Sequence, residues 1–525
     1  RGWMLLMDNR HNDSMNHQKG FHMTTATDRS ARQIAGSLIM IRLPGTSLDA
    51  DSAHFLRENH IRAICLFRQN MVDAEQLSAF TAQLRAVMGP HALIAIDQEG
   101  GAVVRATWLP APPAAMALGA ANDPELARAV GAAVARGIRS LGFNWNFAPV
   151  LDLNNNLDNP VIAERAFGAD PKQATALAMA WMEGSLAEGV ACCVKHAPGH
   201  GDTHVDSHLA LPMVEKPRSA LEALEFSPFR QAAASAPAMM TAHIVYPALD
   251  PDTPASLSHP ILTGLMREEW HFDGVIITDG LDMQAIAERY GAGDAAVRAL
   301  LAGADMMMTL GDRAMQQASI DALAHAIEAG QIDSAELALR IRRLNTLAER
   351  YPCAQPPYST ESEDIALMRS AWQRGLTSYR NPQRCAHGSR VRLVVRADVV
   401  SDGVSEAGVP ASELTALLSR KFDVATTTFA DAESFDWNSL PQDGRCVILA
   451  STSRLRYGPN ARASFRPDLH LALWNPFQAL DIDAPALMTY GFAQAALAAV
   501  LGWLVGEQDA PGSNPCLLPE AGTPG

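Results

Sequence analysis

The sequence has little of what marks several large classes of protein. Only 19% of its 525 residues are charged and 6% are aromatic, and 57 acidic residues outnumber 42 Lys and Arg, which gives a formal net charge of -15. Nucleic acids and anionic membranes are bound through basic surfaces, so this balance predicts neither as a partner. Cysteine is also scarce: there are seven, an odd number that includes the adjacent Cys192 and Cys193, and they do not form a disulfide framework. A reducing compartment is the simpler prediction.

The sequence also predicts neither an export signal nor a membrane span. The segment from Arg1 to about Met23 is polar, and its apolar stretch, residues 3–7, is too short for the core of a signal peptide. We therefore expect a cytoplasmic protein in which residues 1–30 are a disordered or mis-called extension, with Met23 as a candidate start. Residues 484–506 carry no charge and are as long as a membrane span, but their internal Pro, Gly and polar residues favour a short strand, a turn and a buried helix.

What the sequence does contain is enough apolar residues for two domains. Hydrophobic residues make up 48% of the chain, and its 525 residues exceed the roughly 250 to 300 at which a single core stops growing. From about Ile34 to Tyr351, short β-branched apolar runs alternate with longer segments of helical period, which predicts an α/β fold with a parallel sheet. Eight such units would close as a (β/α)8 TIM-like barrel, and a doubly wound open sheet is the alternative. The predicted strands are residues 38–43, 61–67, 92–97, 145–153, 190–196, 238–245, 274–279 and 305–310, and the predicted helices include 73–88, 124–141, 171–188, 219–234, 260–270 and 295–302.

A second, smaller domain is predicted after the barrel. We assign residues 31–352 to the barrel, 353–388 to a Pro-containing linker, 389–510 to an αβα sandwich and 511–525 to an extended tail. The sandwich is indicated by strand-like runs and helical segments that alternate again. These are the runs 391–395, 446–450, 469–474 and 486–490, with helical segments such as 412–421.

Polar residues end several of the predicted barrel strands. Asp97, Lys195 with His196, His243 and Asp279 each lie at or near the end of an apolar run. Because chemistry in such barrels takes place at the carboxyl ends of the strands, these side chains are candidates for one common site.

The densest polar cluster is the loop from Lys195 to His208, Lys-His-Ala-Pro-Gly-His-Gly-Asp-Thr-His-Val-Asp-Ser-His. Its four histidines recur at every fourth position and on a helix would form a metal site, but the internal proline and glycines exclude a regular helix. We therefore predict neither a metal ion nor another cofactor. A merely solvated loop is the alternative to a functional one.

Two groups in different strand-end loops fit the hydrolysis of a glycosidic bond. Asp206 and His208 can form a carboxylate–imidazole pair that acts as general acid and then as general base. The retaining route also needs a carboxylate nucleophile, for which Asp279 is the candidate, although an Asp after a strand is equally often a helix N-cap. Asp282, in the following turn, is expected to cap a helix or to be solvated.

Taken together, these motifs resemble a known family. The run Lys195-His-Ala-Pro-Gly-His-Gly-Asp-Thr203, followed by Asp206-Ser-His208, is similar to the signature of glycoside hydrolase family 3 β-N-acetylhexosaminidases, the bacterial β-N-acetylglucosaminidases of the NagZ type that act in peptidoglycan recycling. Further blocks follow in the family's order over roughly residues 33–351. They are Ile96-Asp-Gln-Glu-Gly-Gly101, Phe147-Ala-Pro-Val-Leu-Asp152, Asn159 with Arg165-Ala-Phe-Gly168, Met240-Thr-Ala-His-Ile244, Pro254-Ala-Ser-Leu-Ser258 and Thr278-Asp-Gly-Leu-Asp-Met283.

The resemblance implies roles for particular residues. Asp279 would be the nucleophile, His208 the general acid/base and Asp206 its partner. The implied ligands of the sugar on the non-reducing side are Asp97, Arg105, Arg165, Lys195 and His196. Ordinary salt bridges are the alternative for both arginines. The implied reaction releases terminal β-linked N-acetylglucosamine from an oligosaccharide or muropeptide through a covalent glycosyl-aspartate.

The sequence departs from the family at two positions. Ala102 stands where the family usually has Arg, and Ala197 stands where an aromatic residue usually sits. The C-terminal segments Leu473-Trp-Asn-Pro-Phe477 and Thr489-Tyr-Gly-Phe492 resemble the sandwich of two-domain members, and we expect this domain to serve packing or substrate access rather than to supply catalytic groups.

Three other functions stay open from the sequence. A family 3 phosphorylase would use phosphate in place of water. A family 3 β-glucosidase would take its acid/base carboxylate from another domain and would lack the Asp206/His208 pair. A non-catalytic sugar- or peptidoglycan-binding protein on the same scaffold is the third.

Overall fold

The structure, a computed structural model, describes residues 29–204, 211–386, 388–401 and 404–516. The predicted catalytic residues Asp206 and His208 therefore lie outside the described residues. The same holds for residues 1–28 of the predicted extension and 517–525 of the predicted tail.

The first sheet is a ring of eight parallel strands. Neighbours in the chain are neighbours in the sheet, the last strand pairs with the first, and a bridge between Ile277 and Met306 closes the ring. Every residue of these strands is buried, which is why they appear in the sequence as continuous apolar runs. The predicted barrel is thereby confirmed and the open sheet is excluded. The strands are β1 (Ile39–Ile41), β2 (Ala63–Cys65), β3 (Leu93–Ile96), β4 (Trp145–Asn146), β5 (Ala191–Ala197), β6 (Ala238–Thr241), β7 (Val275–Thr278) and β8 (Met307–Thr309).

Helices surround this ring. They are α1 (Ala31–Ser37), α2 (Ala50–Glu58), α3 (Ala74–Met88), α4 (Ala115–Ala121), α5 (Pro124–Ser140), α6 (Pro171–Ala187), α7 (Arg218–Ala223), α8 (Phe226–Ala232), α9 (Gln284–Tyr290), α10 (Ala292–Ala302), α11 (Arg313–Glu328) and α12 (Ser334–Arg350). Aspartate side chains accept backbone N–H groups at the start of six of them, and proline follows the cap in α5 and α6. The helix predicted at 219–234 is divided into α7 and α8, and Pro260–Glu269 winds with π-type hydrogen bonds.

A second α/β domain follows the barrel. Its elements are α13 (Glu361–Gly375), β9 (Thr377–Tyr379), β10 (Arg390–Arg396), α14 (Ala411–Ser419), β11 (Asp423–Phe429), β12 (Cys446–Ser451), α15 (Pro459–Ser464), β13 (Leu469–Ala472), α16 (Gln478–Asp481), β14 (Ala486–Met488) and α17 (Gln494–Leu504). The strand order is β11-β10-β12-β13-β14-β9, and only β9 runs antiparallel to its neighbour. Separate apolar clusters cover the two faces, one around Leu393 and Leu497 and the other around Val394 and Phe465. The predicted αβα sandwich is confirmed.

Three elements of this region are missing from the sequence prediction. The segment predicted as a linker, 353–388, holds the 15-residue helix α13 and the edge strand β9. Strand β11, at the other edge, has mostly exposed or half-buried residues and a run of threonines, so it carries no apolar signal. Residues 484–506 form β14 and α17, as predicted. No helix among the described residues is long and apolar enough to span a membrane.

Candidate active site

Side chains from several strand ends meet in one cavity at the carboxyl mouth of the barrel. The cavity has a volume of about 590 Å³. It is lined by every predicted site residue that the structure describes: Asp97, Arg105, Arg165, Lys195, His196 and Asp279. The remaining two, Asp206 and His208, lie outside the described residues, and their roles stay predictions.

Asp279 directly follows β7 and is not a helix cap. The next helix, α9, begins at Gln284 with Met283 in the cap position, so the capping alternative is excluded. The Asp279 backbone N–H donates to the Thr241 carbonyl at 3.1 Å, and its carboxylate Oδ1 accepts the N–H of Gly280 at 2.8 Å. The carboxylate is therefore held in the cavity by the strand end itself.

Two neighbours of Asp279 differ from expectation. Asp282 neither caps a helix nor points to bulk solvent: it is partly buried and lines the cavity, and burial raises its pKa. The prediction for Asp282 was wrong because the turn packs against the neighbouring strand β8, where the Leu281 N–H donates to the Met308 carbonyl at 2.8 Å. His243 is fully buried, with Nε2 donating to the Gly280 carbonyl at 2.8 Å and Nδ1 2.7 Å from Ser256 Oγ, so it supports the turn after Asp279.

A buried ion network lies beside Asp279. Lys195 Nζ is 2.8 Å from Asp97 Oδ1 and 2.6 Å from Glu99 Oε1, and the Arg165 guanidinium contacts both Glu99 oxygens at 2.9 and 2.8 Å. Burial alone would raise the pKa of Glu99, but Arg165 and Lys195 outweigh it and hold that pKa well below its usual value. Burial likewise opposes the charge on Lys195, yet Asp97 and Glu99 raise its pKa. Glu99, Lys195 and Arg165 are therefore charged at neutral pH.

His196 is oriented by a buried carboxylate. Its Nδ1 lies 2.7 Å from Asp152 Oδ2, and its backbone N–H also donates to that carboxylate. Asp152 accepts the backbone N–H of His200 as well, at 2.6 Å. Burial would raise the pKa of Asp152, but His196 and His200 lower it, so the carboxylate fixes the Nδ1–H tautomer of His196.

The histidine-rich loop does not form a metal site in its described part. Lys195 and His196 belong to β5, and His200 Nδ1 is engaged by Thr203 Oγ1 at 2.7 Å. Among the described residues, no group of three or more His, Cys, Asp and Glu side chains is arranged to hold a metal ion.

Three residues in or beside the cavity escape the sequence reasoning. Glu99 and Asp152 stand inside the blocks Ile96–Gly101 and Phe147–Asp152, so these family motifs were a usable signal. Glu406 has no such signal. It belongs to a loop of the second domain, between β10 and α14, and it lines the barrel cavity together with Ser401 and Val404.

The second domain also forms hydrogen bonds with the barrel next to Arg165. Trp474 Nε1 and Arg454 Nη2 both donate to Glu164 Oε1, at 2.7 and 3.2 Å. Glu164 is buried and immediately precedes Arg165 in the chain. A packing role for this domain was expected, and its contacts include the residue that precedes the cavity residue Arg165.

Known proteins are similar to this chain in sequence and in fold. Residues 32–347 match the model of the glycosyl hydrolase family 3 N terminal domain. The chain is 32% identical over 388 residues to beta-hexosaminidase A of Pseudoalteromonas piscicida, which covers 68% of this chain and 62% of that protein. It is 39% identical over 279 residues to a beta-hexosaminidase of Alkalilimnicola ehrlichii, which covers 51% of this chain and 79% of that protein. The chain thus spans less than two thirds of the length of the first relative.

A solved structure matches nearly the whole chain. A glycoside hydrolase family 3 beta-N-acetylglucosaminidase from Paenibacillus sp. str. FPU-7 superposes with a TM-score of 0.84 at 32% identity, over 93% of this chain and 98% of that chain. The similarity therefore includes the second domain as well as the barrel.

Proposed function

The chain belongs to glycosyl hydrolase family 3, and we propose that it is a retaining exo-β-N-acetylhexosaminidase that removes terminal β-linked N-acetylglucosamine. The observation that carries the proposal is the position of Asp279, a strand-end carboxylate in a cavity that also holds Asp97 and Lys195. The activities for which its relatives are named support the same choice.

The cavity offers the groups that a sugar needs. The Asp97 carboxylate can accept hydrogen bonds from sugar hydroxyls. Lys195 and the arginines only donate, so they can bind the hydroxyl and acetamido oxygens of the sugar. Glu99 holds Lys195 and Arg165 in place, which keeps the donors fixed before substrate arrives.

The proposed reaction has two steps. In the first, the Asp279 carboxylate attacks the anomeric carbon, and His208, as imidazolium, gives its proton to the leaving oxygen as the glycosidic bond breaks. In the second, neutral His208 takes a proton from water, and the water oxygen displaces Asp279, so the β configuration is retained. Asp206 would fix the His208 tautomer and stabilise its charged form.

We further propose that the natural substrate is a recycled muropeptide in the cytoplasm. Arg42 and Arg68 line the cavity in addition to the network residues. Such cations suit the carboxylates that a muropeptide aglycone carries. This assignment rests on the family resemblance and on the charge of the cavity wall.

Hydrolysis of an aryl β-N-acetylglucosaminide tests the activity. We expect the wild type to release the β-configured sugar first, as followed by proton NMR. Asp279→Asn should lower kcat/KM at least about 1,000-fold, because the nucleophile is lost, while the melting temperature stays unchanged. Near-normal turnover by this variant would remove Asp279 from the mechanism.

Leaving-group dependence tests the acid. His208→Ala should be strongly impaired on a substrate with a poor leaving group and only weakly impaired on a dinitrophenyl glycoside, which needs no protonation. His204→Ala, which removes an exposed imidazole from the same loop, is the matched control and should behave as wild type on both. Equal impairment of His208→Ala on the two substrates would contradict the role.

A further inference from the structure

A loop of the second domain reaches the cavity of the barrel. It connects β10 to α14, and its described residues Ser401, Val404, Glu406 and Ala407 line the cavity. The backbone N–H of Glu406 donates to the carbonyl of Ala102 at 2.8 Å. The main chain therefore fixes this loop to the barrel independently of the Glu406 side chain.

The Glu406 carboxylate faces a buried arginine that has donors to spare. Arg105 Nη1 lies 3.6 Å from Glu406 Oε1, and Arg105 Nη2 lies 3.7 Å from Asp97 Oδ2; both distances exceed those of direct hydrogen bonds. The Arg105 side chain is only 7% exposed, and its Nε has no hydrogen-bond partner among the described residues. Buried guanidinium donors require acceptors, so this arrangement leaves room for a further polar group.

The two carboxylates that flank Arg105 are not equivalent. Asp97 also accepts from Lys195 Nζ at 2.8 Å and is thereby part of the buried network. Glu406 is 24% exposed and is reached from the cavity. Burial raises its pKa in spite of Arg105 and Arg68, so its charged form gains from any further hydrogen bond that it accepts.

We propose that Glu406 is a specificity-determining residue that accepts the hydrogen of one hydroxyl of the terminal sugar, while Arg105 donates to the oxygen of that hydroxyl. A hydroxyl both donates and accepts, so it satisfies a carboxylate and a guanidinium that lie 3.6 Å apart. Because the same pair forms a wall of the cavity, it excludes a further sugar attached at that hydroxyl. The inference rests on the proposed function and makes the second domain part of the substrate site.

The test combines Glu406 variants with substrates that lack single hydroxyls. The aryl β-N-acetylglucosaminide and its 3-, 4- and 6-deoxy analogues are assayed with wild type, Glu406→Gln and Glu406→Ala. On the parent substrate both variants should lose about 10-fold to 100-fold in kcat/KM, the effect of a hydrogen bond to a charged group. On the one analogue that lacks the bound hydroxyl, wild type and variants should be equally slow. Glu507→Gln, on the exposed surface of the same domain, is the control and should match wild type on all four.

The outcomes separate this inference from its alternatives. A loss that is the same on all four substrates would mean that Glu406 only positions the loop, and it would overturn the proposal, as would an unchanged kcat/KM. Melting temperatures should be equal for wild type and Glu406→Gln, since the backbone bond to Ala102 remains. A wild type that fails to hydrolyse the parent substrate would overturn the proposed function together with this inference, whereas an active wild type with insensitive Glu406 variants would overturn this inference alone.

Discussion

The carboxyl ends of the strands have different surroundings in the two sheets of the molecule. In the barrel, the carboxyl ends of the strands open into a cavity that holds Asp279 and a buried ion network. In the second sheet, the loops that follow the carboxyl ends of β10, β12 and β13 contain Glu406, Arg454 and Trp474, and all three contact the barrel. The second sheet thus has its carboxyl edge docked onto the mouth of the first and contributes to that site.

The barrel mouth and the faces of the second sheet bury different kinds of side chains. Beside Asp279, buried cations and anions alternate, so each charge has an opposite neighbour within about 3 Å. The two faces of the second sheet are instead covered by apolar clusters. If this contrast is correct, single substitutions should cost most at the barrel mouth, less at the docking edge and least inside the sandwich.

The largest effect is expected at Glu99. Glu99→Gln leaves Lys195 and Arg165 with one uncompensated buried positive charge, which should lower the free energy of unfolding by about 3–5 kcal/mol. It should also lower kcat/KM at least about 100-fold, because the two proposed sugar donors, Lys195 and Arg165, lose their anchor. Urea unfolding and steady-state kinetics measure the two effects.

The control for Glu99 removes the same charge from a surface pair. Glu183→Gln breaks the contact with Arg128, and both side chains are about half exposed, so the unfolding free energy should change by less than about 1 kcal/mol. If Glu99→Gln lowered the free energy of unfolding no more than this control does, the ion network would not stabilise the barrel mouth.

An intermediate effect is expected at the docking edge. Glu164→Gln keeps an acceptor for Trp474 Nε1 but removes the charge that faces Arg454, which is buried at the interface. The unfolding free energy should fall by about 2 kcal/mol, the contribution of a hydrogen bond to a charged group. The KM should rise several-fold, because Arg165 is the next residue, while kcat changes little.

Glu433→Gln is the matched control for Glu164. Its carboxylate accepts the backbone N–H groups of Asn460 and Ala461, both in the second domain, so the KM should stay that of wild type. A KM that is unaltered in Glu164→Gln as well would show that the docking edge supports the fold without supporting the site.

Much of the barrel site was predictable because it depends on local order along the chain. Buried parallel strands appear as apolar runs, and Asp97, Lys195 and Asp279 stand at their ends, so the eight strands and these cavity residues follow from pattern and motif. Glu406 could not be found in this way, since its contact with Arg105 joins residues 301 positions apart through domain docking. Strand β11 escaped because an edge strand rich in threonine lacks an apolar run, and Asp282 was misjudged because burial of a turn depends on the fold above it.

The smallest effect is expected inside the sandwich, at His470. This imidazole is fully buried, with Nε2 2.6 Å from Ser451 Oγ and no partner for Nδ1 among the described residues, and burial lowers its pKa from 6.5 to about 3. Below pH 6.5 the unfolded chain takes up a proton that the folded protein excludes, so stability falls as the pH decreases from about 6.5 to about 3. His470→Gln should therefore lessen the loss of unfolding free energy between pH 7 and 5.5 by about 1 kcal/mol. His54→Gln, at a largely exposed position, is the control and should leave the pH dependence unchanged. If His470→Gln also left it unchanged, His470 would be protonated in the folded sandwich.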